Sequence, residues 1–549
     1  MPRLILASMW SLGLLSGFVL ILILMIMGFT GVDINLPIAI GITVLWNVLL
    51  WLVSPWISDL IYGWLYKAEW VGIEGIEKRS PESAKIIRSV CEQYGISMPK
   101  LGVIPDNNPN AFTYGSGKWN SRIIVTEGIF KYLDEHERPS VYAHELGHIR
   151  NNDFIIMTIA STLLQIIYEI YYFSKEMSKK KSSNSKKGNP FILVMIIAYV
   201  FYIVGNYALL YLSRIREYFA DEFSAKHTDA NALAQALVKI ALGILATPEN
   251  NRLVESTRHI GIASVAMSEG IGLIYANCEK AGNFEPLAKA FLFDLKSPWA
   301  WIAELTSTHP LTGKRIKALM KFTDKPYYDL EKIENQFPVD NSRLYGGFWK
   351  DVSLLVLVKF LPVIGLVGGL FWGLVFANPD AVWILTISGL ILGLGLSLLI
   401  NTNMRYGDTT ENPTTVLDTM GDIYASPVRG KHVSLEGTII GKGIPGYIFS
   451  EDMMFQDKTG LIYLDYQSKI PLIGNLIFSL TKVKALIDTS VKTTGWFFRG
   501  VSSNIVIDEL TGGADVVKGG AKFWGMIGGM ICTGIGVVGI ILSLTGKLI

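Results

Sequence analysis

The chain alternates long apolar stretches with long polar intervals. A bilayer core needs about 20 apolar residues in a helix, and six stretches reach that length. A seventh, near the end of the sequence, is rich in glycine, which membrane helices tolerate. The pattern therefore predicts an α-helical membrane protein with seven spans, at residues 5–29, 37–53, 154–173, 191–212, 352–376, 381–400 and 523–544.

The predicted spans leave three polar intervals on one side of the membrane, at residues 54–152, 213–351 and 405–520. Basic residues stand near the span ends on that side, whereas loops 30–36 and 377–380 carry none, so the positive-inside rule makes it the cytoplasmic side. The loop 174–190, with its lysines and serines, disagrees, because this topology puts it outside. We interpret that loop as a flexible linker, the alternative being a surface that contacts anionic head groups.

Composition narrows the class of protein. Of 549 residues, 50% are hydrophobic and only 17% are charged, which excludes a disordered or fibrous chain. The 49 basic and 47 acidic residues nearly balance, so bulk charge does not favour nucleic-acid binding. Three widely separated cysteines exclude a disulfide framework and an all-thiolate metal site.

Local patterns predict structure inside the polar intervals. Residues 80–95 and 229–247 have helical spacing, and residues 101–105 and 122–126 are typical of short strands. In the last interval, three β-type runs suggest a small β-barrel of the OB type, at residues 432–440, 454–466 and 504–510. Its mixed charge argues against a nucleic-acid groove.

Within that last interval, residues 469–499 are apolar but interrupted by lysines. One interpretation is barrel core followed by a loop. The alternative is an interfacial helix that holds Trp496, Phe497 and Phe498 at head-group level.

The clearest chemical motif is the HExxH sequence at residues 144–148. Four residues is just over one helical turn, so His144 and His148 project from one face and can occupy two corners of a zinc tetrahedron. Glu145, beside the first ligand, is then within reach of an attacking water and can take its proton. The alternative is a solvated helix face that happens to carry a histidine pair.

A second motif supplies a plausible third ligand. In the sequence SRIREYFAD, Glu217 and Asp221 lie four residues apart on one helical face. Glu217 would complete a His₂Glu site, and Asp221 would accept a hydrogen bond from a ligand imidazole. The alternative is a surface charge pattern with Arg214 and Arg216.

Four motifs follow one another along the chain: PNAFTYG at 109–115, HELGHIRNND at 144–153, SRIREYFADEFSA at 213–225, and STHP at 307–310 followed by Arg315 and Ile316. In this order they resemble the HtpX-like branch of the integral-membrane zinc metalloproteases, which are relatives of the CAAX prenyl proteases. The resemblance covers residues 1 to about 322.

The resemblance implies residue roles. One zinc ion would be held by His144, His148 and Glu217, with Glu145 as general base and Asp221 behind the ligands. His309 would stabilise the oxyanion and Arg315 would support its pocket. Asn110 and Ala111 would lie on an exposed edge strand that pairs with the backbone of an extended polypeptide substrate.

The fold expected from the resemblance is a mainly α zincin-type protease domain with a small edge β-sheet, followed by the OB-like barrel. The expected order is spans one and two (1–53), the first segment of the protease domain (54–152), a membrane hairpin (153–213), the second segment of the protease domain (214–350), spans five and six (351–400), the barrel (405–520) and span seven (523–544).

These features predict a membrane zinc endopeptidase that degrades unfolded or damaged membrane proteins, with its active site and barrel on the cytoplasmic side. The alternatives are a narrow-specificity processing protease of the CAAX prenyl protease type, and a non-catalytic scaffold whose barrel recruits partners. Its expected partners are polypeptide substrates, membrane proteins among them, and the lipid bilayer, with no nucleic acid.

Overall fold

The computed structural model describes part of residues 11–25 and then residues 36–180, 189–246, 285–376, 381–442, 451–470, 473–500, 503–512 and 515–545. The helices in these ranges are α1 (Leu36–Leu65), α2 (Ile73–Arg79), α3 (Pro81–Tyr94), α4 (Glu127–Tyr132), α5 (Arg138–Arg150), α6 (Asp153–Lys180), α7 (Pro190–His227), α8 (Ala230–Ala246), α9 (Glu285–Lys296), α10 (Pro298–Leu305), α11 (Thr312–Leu319), α12 (Leu330–Gln336), α13 (Asn341–Phe376), α14 (Val382–Tyr406), α15 (Val416–Met420), α16 (Ile473–Thr481), α17 (Val483–Leu486) and α18 (Ala521–Leu544). The strands are β1 (Glu69–Trp70), β2 (Lys100–Ile104), β3 (Ala111–Gly115), β4 (Ser121–Thr126), β5 (Lys431–Lys442), β6 (Met453–Gln456), β7 (Leu461–Asp465), β8 (Ser490–Arg499), β9 (Ser503–Gly512) and β10 (Asp515–Lys518).

The chain divides into two compact units. The first comprises Met1–Ser268 and Ile302–Asp329, and the second comprises Glu269–Trp301 and Leu330–Ile549. Among the described residues, six helices are long and apolar enough to cross a membrane, namely α1, α6, α7, α13, α14 and α18. The predicted span at 5–29 lies largely outside the described residues. Its described part is helical, and Leu15, Val19 and Leu22 pack into one apolar core with residues of α6 and α7.

Two helices extend beyond the predicted spans. Helix α1 does not end at residue 53 but continues to Leu65, because the carbonyl that Pro55 deprives of its helical donor is satisfied by hydroxyl groups. The carbonyl of Trp51 accepts hydrogen bonds from Ser54 Oγ at 3.1 Å and from Ser116 Oγ at 2.9 Å. Helix α6 also extends beyond its predicted span, from residue 173 to Lys180. Of the lysine-rich loop expected at 174–190, residues 181–188 lie outside the described residues.

A four-stranded sheet in the first unit has the order β1-β2-β4-β3, so β3 lies at its edge. The sheet is joined to the end of α1 by polar side chains. Asp59 of α1 accepts from Arg122 Nε at 3.0 Å and from the Tyr114 hydroxyl at 2.9 Å. These contacts fix β3 and β4 relative to the C-terminal part of α1, around Asp59.

The second unit combines a membrane bundle with a closed barrel. Helices α13, α14 and α18 pack closely through small residues, as in Gly365 against Gly389 and Gly529 against Leu399. Pro362 of α13 frees the carbonyl of Val358, which accepts a hydrogen bond from Ser397 Oγ of α14 at 2.7 Å.

The barrel closes in the order β5-β6-β7-β9-β8-β5, with β7 and β9 parallel and every other pair antiparallel. Strand β10 pairs antiparallel with the end of β9. This confirms the predicted OB-like barrel. The turn at residues 457–460 separates β6 from β7, as its sequence suggested.

The alternative that held the aromatic triplet at residues 496–498 in the head groups is wrong, because these residues belong to β8 and are buried in the barrel. The barrel stands at the end of the bundle. The ring of Tyr406, the last residue of α14, lies 4.9 Å from that of Trp496, and the Gly430 N–H donates to the Arg405 carbonyl at 3.2 Å.

Candidate metal centre

Helix α5 carries the HExxH motif and is buried from Pro139 to Ile149. It packs against α3, α7 and strand β3. The helical spacing brings the two imidazoles together, with His144 Nε2 and His148 Nε2 3.3 Å apart. The alternative interpretation of the motif, a solvated helix face with a histidine pair, is wrong because His144 is fully buried and His148 is only 8% exposed.

Helix α7 brings Glu217 to the same point. Its carboxylate oxygens lie 3.7 Å from His144 Nε2 and 3.6 Å from His148 Nε2. The two helices approach closely because Gly147 has no side chain, and a Cβ there would stand 3.0 Å from the Cα of Ala220. A side chain at this position would therefore push α7, which carries the third ligand, away from α5 by a few tenths of an ångström.

The outer nitrogens of both imidazoles contact carboxylates. His144 Nδ1 lies 3.0 Å from Asp221 Oδ1, and His148 Nδ1 lies 2.6 Å from Asp153 Oδ2. Asp153 reaches His148 because Asn152 adopts a left-handed conformation (φ 58°) between α5 and α6. Sequence reasoning missed Asp153, although an acidic residue directly after an Asn-Asn pair that ends the motif helix was a signal for it.

Arginines hold these carboxylates. Arg315 of α11 donates two hydrogen bonds to Asp221, from Nε at 2.8 Å and from a terminal nitrogen at 2.7 Å, and lies 3.7 Å from Glu217. Arg216 forms an ion pair with Asp153 at 3.1 Å. Glu217 and Asp221 are thus not a surface charge pattern with the neighbouring arginines, because both carboxylates are buried.

His309 lies at the same centre, on the loop before α11. Its Nδ1 is 3.1 Å from Glu217 Oε2, and its side chain is buried. Arg214 of α7 positions this loop by donating to the carbonyls of Glu304 and Ser307, each at 2.7 Å. Arg214 is a second residue that sequence reasoning missed, and its only signal was its position one helical turn before Glu217.

Glu145 is buried on α5 beside the ligand pair. Burial raises the pKa of its carboxyl, and the imidazoles of His144 and His148 lower it by less, so the pKa stays above its ordinary value. The hydroxyl of Thr113, on edge strand β3, faces the same carboxylate. A carboxylate with a raised pKa is a better proton acceptor than one in water.

Three donor atoms therefore converge, from His144, His148 and Glu217, and this cluster can hold a metal ion. Zinc binds nitrogen and carboxylate oxygen at about 2.0–2.2 Å in a tetrahedron, which places neighbouring ligand atoms roughly 3.3–3.6 Å apart. The 3.3 Å between the two Nε2 atoms fits that geometry, and Glu217 presents one carboxylate oxygen to each imidazole, Oε2 at 3.7 Å from His144 and Oε1 at 3.6 Å from His148. The outer nitrogens contact carboxylates, so the Nε2 lone pairs remain directed at the common centre.

The electrostatics of the centre favour a cation. Burial alone lowers the pKa of His144, but the contacts with Asp221 and Glu217 outweigh burial and raise this pKa to about 9. Two buried carboxylates thus stabilise positive charge on the imidazole. A bound metal ion would supply that charge in place of the proton.

Asn110 and Ala111 lie at the start of the edge strand, with side chains that are buried rather than exposed. Asn110 pairs with Thr126 through hydrogen bonds at 2.8 and 3.0 Å. Hydrogen-bonded and non-hydrogen-bonded pairs alternate along an antiparallel ladder, so the backbone groups of Thr113 point away from β4, toward the edge. The exposure expected at this part of the edge strand is not observed, because Asn110, Ala111 and Thr113 are all buried.

Asp153 provides a direct test of ligand orientation. Asp153→Asn keeps the shape of the side chain but removes the charge that contacts His148, so we expect zinc affinity to fall about 10- to 100-fold. Competition with a chromophoric chelator measures this change. Asp324→Asn, at an exposed loop position, should leave the affinity unchanged. Equal affinities in the two variants would show that Asp153 does not orient the ligand.

Comparisons with known proteins assign the residues of this centre to a peptidase family. The sequence profile of peptidase family M48 matches residues 77–323. That range contains every residue of the metal centre, from Asn110 to Arg315, and ends before the barrel.

The chain is 31% identical over 279 residues to the protease HtpX homolog of Pyrococcus abyssi, across 49% of this chain and 82% of that protein. It is 29% identical over 281 residues to the protease HtpX homolog of Aquifex aeolicus, across 50% of this chain and 80% of that protein. Among solved structures it is similar to the crystal structure of S. mikatae Ste24p, with 18% identity and a TM-score of 0.35, across 58% of this chain and 67% of that one.

Proposed function

Because the chain belongs to peptidase family M48 and is an integral membrane metalloprotease, we propose that its metal is zinc and that it hydrolyses unfolded or damaged membrane proteins. The observation that supports this proposal best is the convergence of His144, His148 and Glu217 beside the buried carboxylate of Glu145. Two imidazoles and one carboxylate form the donor set of catalytic zinc sites, which keep a fourth position for water or substrate.

In the proposed mechanism, His144, His148 and Glu217 hold the ion. When bound, zinc lowers the pKa of water to about 7 and polarises a carbonyl. Glu145 accepts the proton of the attacking water and passes it to the leaving amine. Asp221 and Asp153 hold the imidazoles in the orientation and tautomer that ligation requires.

His309 is proposed to act on the developing negative charge of the tetrahedral intermediate. Its contact with Glu217, at 3.1 Å, holds the imidazole in the centre. A donor aimed at charge that develops only in the transition state raises the rate without tightening substrate binding. Arg315 supports this pocket through Asp221.

The proposed substrate is a polypeptide in extended conformation. Strand β3 offers the backbone groups of Thr113 at the edge of the sheet, beside Glu145. Pairing with a backbone selects for an unfolded segment more than for particular side chains. This requirement suits a protease that removes damaged chains.

The protease and barrel domains are proposed to lie on the cytoplasmic side, with the domain boundaries expected from the sequence. Cysteine labelling within loop 174–190 tests the orientation. Modification by a membrane-impermeant maleimide in intact cells supports it, and modification only after lysis reverses it.

Cleavage by purified, zinc-loaded protein tests the proposed function. The substrates are one membrane protein in folded and in unfolded form, and a prenylated CAAX peptide. Preferential cleavage of the unfolded form, inhibited by a chelator and restored by zinc, is expected. Cleavage of the prenylated peptide alone would support the narrow processing enzyme, and no cleavage of any substrate would contradict both proposals.

Arg214 should affect turnover through the loop that carries His309. Arg214→Gln removes the donors to the Glu304 and Ser307 carbonyls, so we expect kcat/KM to fall by roughly 100-fold, since small displacements of a catalytic group have effects of that size. Zinc content should be unchanged, as measured by atomic emission. Lys226→Gln, at an exposed position of the same helix, is the matched control. Wild-type turnover in Arg214→Gln would remove Arg214 from the mechanism.

A further inference from the structure

Helix α16 follows barrel strand β7 and exposes an apolar face. Ile473, Leu476, Ile477 and Leu480 recur at helical spacing on that face, and their exposed fractions lie between 42% and 64%. Ile470, just before the helix, is 62% exposed. A row of five exposed aliphatic side chains on a folded domain indicates an interaction surface.

The opposite face fixes the orientation of α16 on the barrel. The ring of Phe478 stacks on Tyr466 with centroids 3.8 Å apart. Asn475 donates to Glu451 at 2.9 Å and accepts from the Ser468 N–H at 2.8 Å. The aliphatic face is therefore the side that points away from the barrel.

The segment before α16 is held at the point where membrane helix α18 begins. The Gly520 N–H donates to the Gln467 carbonyl at 2.5 Å, and Trp524 Nε1 donates to the Lys469 carbonyl at 2.7 Å. Asn475 of α16 and Trp524 of α18 line one cavity of about 400 Å³. Trp and Phe in the first turn of a membrane helix mark the head-group level, so α16 starts at that level.

The charges of this segment match an anionic lipid surface. Residues 467–487 contain three lysines, Lys469, Lys482 and Lys484, and no acidic residue. Lysines at both ends of an apolar face can extend toward head groups while the aliphatic side chains enter the acyl boundary.

We propose that α16 is an interfacial helix, which inserts its aliphatic face into the bilayer that α18 spans. The hydrogen bonds to the start of α18 place α16 at the membrane surface. The five aliphatic side chains provide the apolar contact with lipid, and the lysines provide the preference for anionic lipid. The barrel is then held against the membrane by α16 in addition to the ends of α14 and α18. This role is separate from the proposed peptidase function.

Spin labels on the full-length protein in nanodiscs test the proposal. In a variant whose three native cysteines are replaced by alanine, single cysteines at Ile477 and Leu480 are compared with one at Lys458. Lys458 is exposed in the turn at the end of β7 remote from Gly520. We expect labels at 477 and 480 to collide more with oxygen and less with a nickel chelate than the label at 458.

The lipid composition provides a second measurement. Nanodiscs that contain phosphatidylglycerol should increase the oxygen-to-nickel ratio at 477 relative to phosphatidylcholine alone. Replacing Lys482 and Lys484 together by glutamine should remove that increase. Near-ultraviolet circular dichroism of each variant checks that the barrel is folded.

Two results would overturn the proposal. Labels at 477 and 480 that are as accessible to nickel as the label at 458 would place α16 in water. Labels shielded from both reagents would show that protein, such as a second copy of the chain, covers this face.

Discussion

Glutamine in place of Glu145 is expected to lower the rate of peptide hydrolysis by about 10²–10⁴-fold. The carboxylate is buried beside the ligand pair with its pKa above the ordinary value, so it is suited to accept a proton, and the amide of glutamine cannot accept one. Zinc content should stay at about one ion per chain, because Glu145 is not in the donor set. Rate and zinc content are measured on the same detergent-purified sample.

Glu92→Gln is the matched control for this variant, since Glu92 is exposed on α3. It should keep wild-type activity. Substantial turnover by Glu145→Gln would disprove the role of Glu145 as general base. Loss of zinc would show instead that Glu145 contributes to the metal site.

Removing the third ligand is expected to lower the rate of hydrolysis by a similarly large factor, in this case because the metal is lost. Glu217→Ala deletes the carboxylate that faces both imidazoles at 3.6 and 3.7 Å, so bound zinc should fall from about one ion per chain to near zero after dialysis, and hydrolysis should fall with it. The variant also leaves Arg315 and His309 beside an uncompensated site. Thermal unfolding must therefore be measured together with metal content.

Glu222→Ala lies on the same helix, in an ion pair with Lys226 at the surface, and should bind zinc like the wild type. A folded Glu217→Ala protein that retains its full zinc content would mean that the third ligand is another residue. Low zinc in both variants would point to a general effect on α7 and would not support Glu217 as a ligand.

The tertiary structure revised several expectations for physical reasons. The apolar stretch at 37–53 set the predicted span, but α1 continues past Pro55 because hydroxyl groups satisfy the freed carbonyl, one of them from a residue distant in sequence. The sequence left two interpretations open for the aromatic triplet at 496–498, barrel core or membrane interface, and the structure buries it in the barrel. An apolar pattern records that a side chain avoids water, and only the fold decides whether protein or lipid replaces the water.

The sequence by itself determined the features of this protein that depend on local periodicity. Membrane helices follow from long apolar runs, and the pairing of His144 with His148 follows from one helical turn. The four motifs and their order identified the family, and alternating runs indicated the barrel. Only the tertiary structure decided which distant groups complete the centre. Asp153 reaches His148 through a left-handed Asn152, Thr113 faces Glu145 from another element, and Arg214 holds the loop of His309. The contacts of Thr113 and Arg214 join segments far apart in sequence, and their distances depend on how helices and strands pack. The contact of Asp153 depends on one backbone conformation between two helices.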